Sequence, residues 1–316
     1  MERRSSSYAS SSAPMKLKTE YLSRPSRILS ASAVAVGSFD GLHIGHRKVL
    51  SRLISEAGDM PTVVFTFSPH PRAFFEDDFP LLTTDEEKTA LLATTGIEMA
   101  IFAKFDSAFV EQTAEVFIDR YLKDSLGMRK LVIGSDHAIG KGRSGNIEAL
   151  AKLAPQMGFE LIIVEPEMLG DAPVKSTRIR ECVICGDLHS AGEMLGRPFS
   201  ISGEAIEGEG RGSRLGFPTV NFVPPPEKLL PPAGVFIATD TRGMPGLLYI
   251  GTAPTFGKRK IIAEFHGIDR PERIDREFGV SVLDMLRREE KFASADELVV
   301  RMRQDREKLL NWLNCR

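Results

Sequence analysis

From Ser32 to about Val164 short apolar runs alternate with stretches whose apolar residues recur every three or four positions. Ala33–Val36 predicts a strand, and His46–Ala57 predicts a helix with Val49, Leu50, Leu53 and Ile54 on one face. The β-branched and aromatic run Thr62–Phe67 predicts a second strand and Met99–Phe102 a third. A helix over Ser107–Leu122 would carry Phe109, Ala114, Phe117 and Tyr121 inward. Leu131–Ile133 and Leu161–Val164 then predict two strands separated by a helix over Ile147–Met157. Strands alternating with helices of this length imply βαβ units, so the first part is read as α/β, with a parallel sheet covered on both faces.

The pattern changes after about Gly196. Residues 197–290 are rich in Gly and Pro, with strand-like runs at Val235–Thr239, Leu247–Ile250, Ile261–Phe265 and Val280–Leu283. Such short strands between turn signals predict a small antiparallel barrel or sandwich. Ser294 followed by Glu297 has the spacing of a capping box. Leu298, Met302, Leu309, Trp312 and Leu313 continue it as one apolar stripe, which predicts an amphipathic closing helix docked on the barrel. With 316 residues the chain is long enough for two domains, expected at 16–190 and 191–316. The Ser-rich segment 1–15 lacks an apolar stretch and is expected to be a disordered tail.

Composition narrows the functional classes. A formal net charge of −2 provides no basic field for a nucleic-acid partner. No apolar run is long enough to predict a transmembrane helix, so a membrane partner is not expected. Cys182, Cys185 and Cys315 are too few and too poorly placed for a disulfide framework, which points to a reducing, cytoplasmic setting. Cys182 and Cys185 form a C-x-x-C, but no second pair completes a zinc set, and both are expected as small buried or half-buried thiols in a helix over Thr177–Leu188.

The first strand runs into Gly37-Ser38-Phe39-Asp40-Gly41-Leu42-His43-Ile44-Gly45-His46. A glycine-rich turn between strand and helix presents backbone N–H groups and the positive helix end to an anion. His43 and His46 lie three apart at the helix start, a spacing that suits phosphate oxygens and, without the glycines, equally a structural or a metal pair. A P-loop is absent, because Gly134 and Gly140-Lys141 are one residue too far apart. A dinucleotide fingerprint is absent too, since Gly208-Glu209-Gly210 has Ser213 in its third glycine place.

His43-Ile44-Gly45-His46 resembles the H-x-G-H signature of the nucleotidyltransferase superfamily. The wider segment Gly37–His46 resembles the FMN adenylyltransferase branch found in bacterial bifunctional riboflavin kinase/FAD synthetases. Phe67-Ser68-Pro69-His70-Pro71, Gly134-Ser135-Asp136 with Gly140 and Arg143, and Ser176-Thr177-Arg178-Ile179-Arg180 agree in order. The resemblance implies a Rossmann-like domain that transfers AMP from ATP to FMN. It implies an ATP cradle at Gly37, Phe39, Asp40, Gly41 and Gly45, with His43 and His46 on the α/β-phosphates. Ser176 and Thr177 would belong to a mobile phosphate loop, with Arg178 on the leaving pyrophosphate and Arg180 as a weaker candidate. Asp136 reads as a flavin-site residue or a turn cap, with Arg143 beside it, and His70 as a functional or a turn residue. His137 and Ile139 stand where relatives usually carry phenylalanines, so a changed FMN affinity is expected.

In the second part Gly208, Gly210, Gly212 and Gly216 form either a phosphate-sized arch or a long hairpin loop. Phe217-Pro218-Thr219-Val220-Asn221 is more specific, because a hydroxyl and an amide two apart on an extended strand face one way and can share a metal. The stretch resembles the riboflavin kinase loop and its P-T-x-N motif. Pro231-Pro232-Ala233-Gly234-Val235-Phe236, Gly251-Thr252-Ala253-Pro254-Thr255-Phe256 and Glu264-Phe265-His266 follow in order. Leu286-Arg287 with Glu289, Lys291 and Phe292 continues the match. By that resemblance the second domain is an antiparallel barrel that phosphorylates riboflavin, with Glu264 as base and Thr219 and Asn221 holding Mg²⁺–ATP. The expected ligands are therefore ATP and Mg²⁺, with riboflavin and FMN as substrates and FAD as product.

Overall fold

The computed structural model describes residues 17–207, 217–255, 258–269 and 276–315, without the side chains of 252–255, 258–261 and 295. In chain order the first elements are β1 (Lys18–Leu22), β2 (Ser32–Val36), α1 (Ile44–Ala57), β3 (Thr62–Ser68), α2 (Pro71–Phe75) and α3 (Asp85–Ala93). After these come β4 (Met99–Lys104), α4 (Ser107–Val110), α5 (Ala114–Phe117), β5 (Met128–Gly134), α6 (Ile147–Met157) and β6 (Glu160–Val164). A short hairpin, β7 (Met168–Leu169) and β8 (Ala172–Pro173), leads into α7 (Ser176–Cys185) and α8 (Leu188–Leu195). The remaining elements are β9 (Phe199–Ile206), β10 (Val220–Val223), β11 (Gly234–Asp240), β12 (Pro245–Thr255), β13 (Lys258–Gly267), β14 (Glu277–Arg288) and α9 (Ala295–Asn314).

The chain forms two compact units. One comprises residues 1–38, 49–69 and 89–165, the other 39–48, 70–88 and 166–316. The first holds a six-stranded sheet in the order β1-β4-β3-β2-β5-β6, with every pairing parallel. Strands buried on both faces read as continuous apolar runs, which is why β2 and β3 are legible in the sequence. Phe65, Phe117 and Tyr121 pack edge-to-face within its core. α6 has the predicted bounds, because Asn146 caps its start and left-handed Gly158 stops it. The predicted helix Ser107–Leu122 is instead broken. Asp106 and Thr113 each cap a single turn, and a π-helical stretch, Ile118–Asp124, follows. β1, whose alternation is weak, gives no sequence signal.

The second unit is built on a closed barrel in the order β10-β13-β12-β11-β14-β9, all antiparallel. The choice between barrel and sandwich is thus settled by the pairing of β9 with both β10 and β14. Phe199, Phe222, Phe236 and Phe265 fill its interior. α9 docks on the barrel as the stripe predicts. Leu309, Trp312 and Leu313 pack with Val235, Ile237 and Leu247, and the Ser294 hydroxyl accepts from Glu297 N–H at 3.2 Å. The helix predicted over Thr177–Leu188 ends three residues early at left-handed Gly186, and Asp187 caps α8. Cys182 is half-buried but Cys185 is exposed, so the expectation of two sheltered thiols holds for one.

Candidate functional site

The loop after β2 is shaped by backbone that few residues adopt. Phe39, Gly41 and Leu42 have φ of 48°, 80° and 37°. A Cβ on Gly41 would stand 2.8 Å from Leu82 Cδ1, so both conformation and space call for glycine there. Asp40, 1% exposed, organises the turn. Its carboxylate accepts from Leu82 N–H (3.1 Å), Thr83 N–H (2.9 Å) and the Thr83 hydroxyl (3.1 Å). It also pairs closely with the Arg180 guanidinium. Those four partners saturate the carboxylate, so Asp40 shapes the loop through backbone rather than by reaching outward. The Thr83 hydroxyl in turn accepts from Gly41 N–H at 3.0 Å.

The two histidines come together. Their rings stack at 3.6 Å with an interplanar angle of 17°, and Phe39 meets His46 edge-on at 5.3 Å. His46 N–H donates to His43 Nδ1 at 3.3 Å, so the neutral His43 ring carries its proton on Nε2. Gly45 gives this imidazole room, since a Cβ would lie 3.2 Å from His43 Nδ1. The segment expected as a mobile phosphate loop is the start of α7. The Ser176 hydroxyl donates to Asp40 O at 3.0 Å, and Thr177 is exposed. Arg178 donates from Nη1 to Leu169 O (3.2 Å) and Ala172 O (3.3 Å), which ties it to the β7–β8 hairpin. Arg180, the weaker sequence candidate, is the buried one.

His70 is a structural residue by its contacts. Its Nδ1 accepts from Arg72 N–H at 3.1 Å and caps α2, and its ring stacks on Phe79 at 5.0 Å. Arg72 and Arg180 lie over the same Phe79 ring, 4.6 and 4.4 Å from its centroid. Burial, reinforced by nearby Lys88, Arg180 and Arg72 against the attraction of Asp40, lowers the His70 pKa to about 4.

In the other unit Gly37 N–H donates to Phe65 O at 3.0 Å. Asp136 follows β5 in a turn closed by His137 N–H on Gly134 O (3.1 Å), and Arg143 Nη2 donates to Asp136 O at 3.0 Å. Arg143 itself has φ 59°. Ile139, 6% exposed, belongs to the core of this unit. Burial lowers the His137 pKa to about 4, with Arg143 adding to it, so the ring is neutral near pH 7.

A second constellation sits on the barrel. A cavity of about 400 Å³ is lined by Thr219 just before β10, by Tyr249, Glu264 and His266 from the strands, and by Leu298, Met302 and Asp305 from α9. Glu264 stands in register with Asn221 on β10 and with Tyr249 on β12. Asn221 Nδ2 donates to Thr219 Oγ1 at 3.4 Å, so their polar ends meet. Burial first, then the neighbouring Glu289 and Glu264 carboxylates, raises the Tyr249 pKa, and its hydroxyl donates to Glu289 Oε1 at 2.6 Å. His266 Nδ1 lies 2.9 Å from Pro218 O, which fixes the ring beside the motif. Arg287 Nε donates to Asp305 Oδ2 at 2.9 Å and fastens α9 to β14. Among the described residues no cluster of three His, Cys, Asp or Glu could hold a metal ion.

A family model for FAD synthetase matches residues 26–178, and one for riboflavin kinase matches 195–313. The Escherichia coli K12 bifunctional riboflavin kinase/FMN adenylyltransferase is 32% identical over 86% of this chain and 90% of its own length. The chain belongs to the bifunctional riboflavin kinase/FMN adenylyltransferase family. The Haemophilus influenzae relative of the same description is also 32% identical, over 90% of this chain and 95% of its own. A crystal structure described as a macrolide-efflux protein from Streptococcus pneumoniae shares the fold. It has a TM-score of 0.83 and 28% identity, over 93% of this chain and 99% of that one. No helix among the described residues is long and apolar enough to cross a membrane.

Set against this family, the departure at residue 139 falls on core packing. Ile139 packs against Gly145 across a β-bridge, and a Cβ on Gly145 would stand 2.9 Å from Ile139 Cγ1. Gly208, Gly210 and Gly212, expected at the kinase phosphates, lie outside the described residues, as does the tail of residues 1–15. Sequence reasoning missed Thr83, Tyr249 and Asp305. Asp305 alone left a trace, as a charge on the apolar side of the closing helix.

Proposed function

We propose that this chain makes FAD from riboflavin in two ATP-dependent steps, with phosphorylation carried by residues 191–316 and adenylyl transfer by residues 16–190. In the first step the riboflavin 5′-hydroxyl loses its proton to Glu264 and takes the γ-phosphoryl group of ATP, giving FMN and ADP. The cavity suits a flavin: it offers apolar walls of Val235, Leu247, Leu298 and Met302, with Glu264, Glu290 and Asp305 as its carboxylates. Mg²⁺ would be held by the Thr219 hydroxyl and the Asn221 amide oxygen, two neighbouring neutral side chains, with phosphate and water oxygens. When bound, the ion neutralises phosphate charge. Gly208, Gly210 and Gly212 are assigned to the ATP phosphates.

In the second step the FMN phosphate oxygen attacks the ATP α-phosphorus and pyrophosphate leaves. The protein contributes alignment and charge. His43 donates from Nε2 and His46 from its own ring to the α/β-phosphates, and Arg178 leaves its hairpin carbonyls for the departing pyrophosphate. Ser176 and Thr177, at a helix start, and Gly37, Phe39, Gly41 and Gly45 cradle ATP. Asp40 contributes by fixing that cradle. Asp136 and Arg143 are assigned to the flavin. The three cysteines are unpaired, which supports a reducing, cytoplasmic setting.

The observation that carries the reading is the register of Asn221, Glu264 and Tyr249 across three neighbouring strands, with Glu264 and Tyr249 lining the cavity. Separation of flavins after incubation with riboflavin, ATP and Mg²⁺ tests it, and FMN then FAD should accumulate. His46→Ala should abolish FAD while FMN still forms. Glu264→Ala should block FMN formation yet leave FAD formation from added FMN. Loss of FMN formation as well in His46→Ala, or loss of FAD formation from added FMN in Glu264→Ala, would refute two separate sites.

A further inference from the structure

The loop that carries His43 is held by a side chain from the riboflavin-kinase part of the sequence. Arg197 lies within the segment 195–313 matched to riboflavin kinase. Its Nη2 donates to Gly41 O at 2.9 Å, and its Nη1 to Leu42 O at 3.4 Å and Leu195 O at 3.3 Å. Gly41 and Leu42 are the two residues immediately before His43. Both carry left-handed φ, so their carbonyls point where an ordinary turn would not send them. A planar guanidinium reaches several such carbonyls with one rigid fork, which an ammonium cannot do. Neighbouring Leu195 packs with Leu82, the residue whose N–H bonds Asp40. The grip on the loop is therefore two-sided, by Asp40 within and by Arg197 without.

Arg197 has no place in the kinase cavity. Burial, with Arg47 adding to it and Glu87 opposing it, lowers its pKa to about 10, so it stays cationic near neutrality. Arg197 is half-buried, and two of its bonds end on the adenylyl-transfer loop.

We propose that Arg197 is a positioning residue for adenylyl transfer: by holding the Gly41 and Leu42 carbonyls it sets where the His43 imidazole meets the ATP phosphates. The inference rests on the proposed function and adds that one reaction depends on a side chain of the segment assigned to the other. Small displacements of an aligned group cost rate more than binding.

The test is steady-state kinetics of both reactions on the full-length chain, for the unsubstituted protein, Arg197→Met and Arg197→Lys. In Arg197→Met the kcat for FAD formation from FMN should fall about tenfold to a hundredfold, with KM for ATP changed less than about twofold and riboflavin phosphorylation unchanged. Arg197→Lys, which keeps the charge and reaches one carbonyl, should recover part of that loss. The kinase rate on the same chain is the internal control for folding. Equal loss of both reactions in Arg197→Met and Arg197→Lys, or full FAD turnover in Arg197→Met, would overturn the assignment. No FAD from the unsubstituted chain would instead bring down the proposed function itself.

Discussion

Lys228 offers a sharp test of how the barrel unit is held together. Its ammonium is fully buried and donates to Glu87 Oε2 and Leu82 O, both at 2.6 Å, while lying 4.6 Å above the Phe199 ring. Glu87 also accepts from Ser202 N–H (3.1 Å), the Ser202 hydroxyl (2.9 Å) and Thr84 N–H (3.2 Å). Lys228→Met leaves the carboxylate with those three donors, whereas Glu87→Gln leaves the ammonium with neutral acceptors, the Leu82 carbonyl and an amide oxygen. Each substitution strands a buried charge, which costs about 3 kcal/mol for the first and somewhat more for the second. The double substitution removes both charges and should recover about 2 kcal/mol of the sum. Trp312, the single tryptophan, packs where α9 meets the barrel, so its fluorescence follows unfolding of this unit in urea. A loss of about 3 kcal/mol corresponds to a midpoint shift of about 1 M. If the two single losses add within about 0.5 kcal/mol in the double variant, Lys228 and Glu87 are not a coupled pair and the reasoning fails.

Three further outcomes follow from the geometry. Gly41→Ala forces a left-handed alanine against Leu82 and should lower the stability of the barrel unit by about 2 kcal/mol, read from the same urea midpoint; an unchanged midpoint would contradict the steric account. Asp305→Ala removes the bond that fastens α9 to Arg287 beside the cavity, so KM for riboflavin should rise several-fold while FAD formation from added FMN is retained; an unaltered KM would separate the helix from flavin binding. His70 is neutral when folded, with a pKa of about 4 against 6.5 when unfolded. Below pH 6.5 the unfolded chain binds the extra proton, so stability is full above that value and is lost as pH falls towards 4, by about 3 kcal/mol. Relative to His70→Asn, the unsubstituted chain should lose ground across that window, and parallel pH curves would sink the assignment.

What was legible in the sequence is what local physics encodes. α6 could be bounded because Asn146 and Gly158 terminate it within the chain's own pattern, and β2 and β3 because burial on both faces leaves unbroken apolar runs. His43, Gly45 and His46 are close in sequence, so their meeting needs only one turn of helix. The break at Thr113 was hidden, because the apolar spacing runs straight through a residue that caps from within. Arg197 and Lys228 were hidden for a different reason. Their partners at Gly41 and Leu82 lie 156 and 146 positions away, and a lone cation in a polar stretch carries no mark of the carbonyl it will find.

The membership of residues 39–48 and 70–88 in the barrel's compact unit bears on how such an enzyme could be recombined. A crossover near residue 191 would bring in a foreign first half whose residue at position 87, and whose loop geometry at 41 and 82, need not match Lys228 and Arg197. Lys228 would then be buried without the Glu87 carboxylate, and Arg197 would keep its bond to Leu195 O. Descent by exchange of whole halves is thereby handicapped, and substitutions on either side of that point are expected to have travelled together through the lineage.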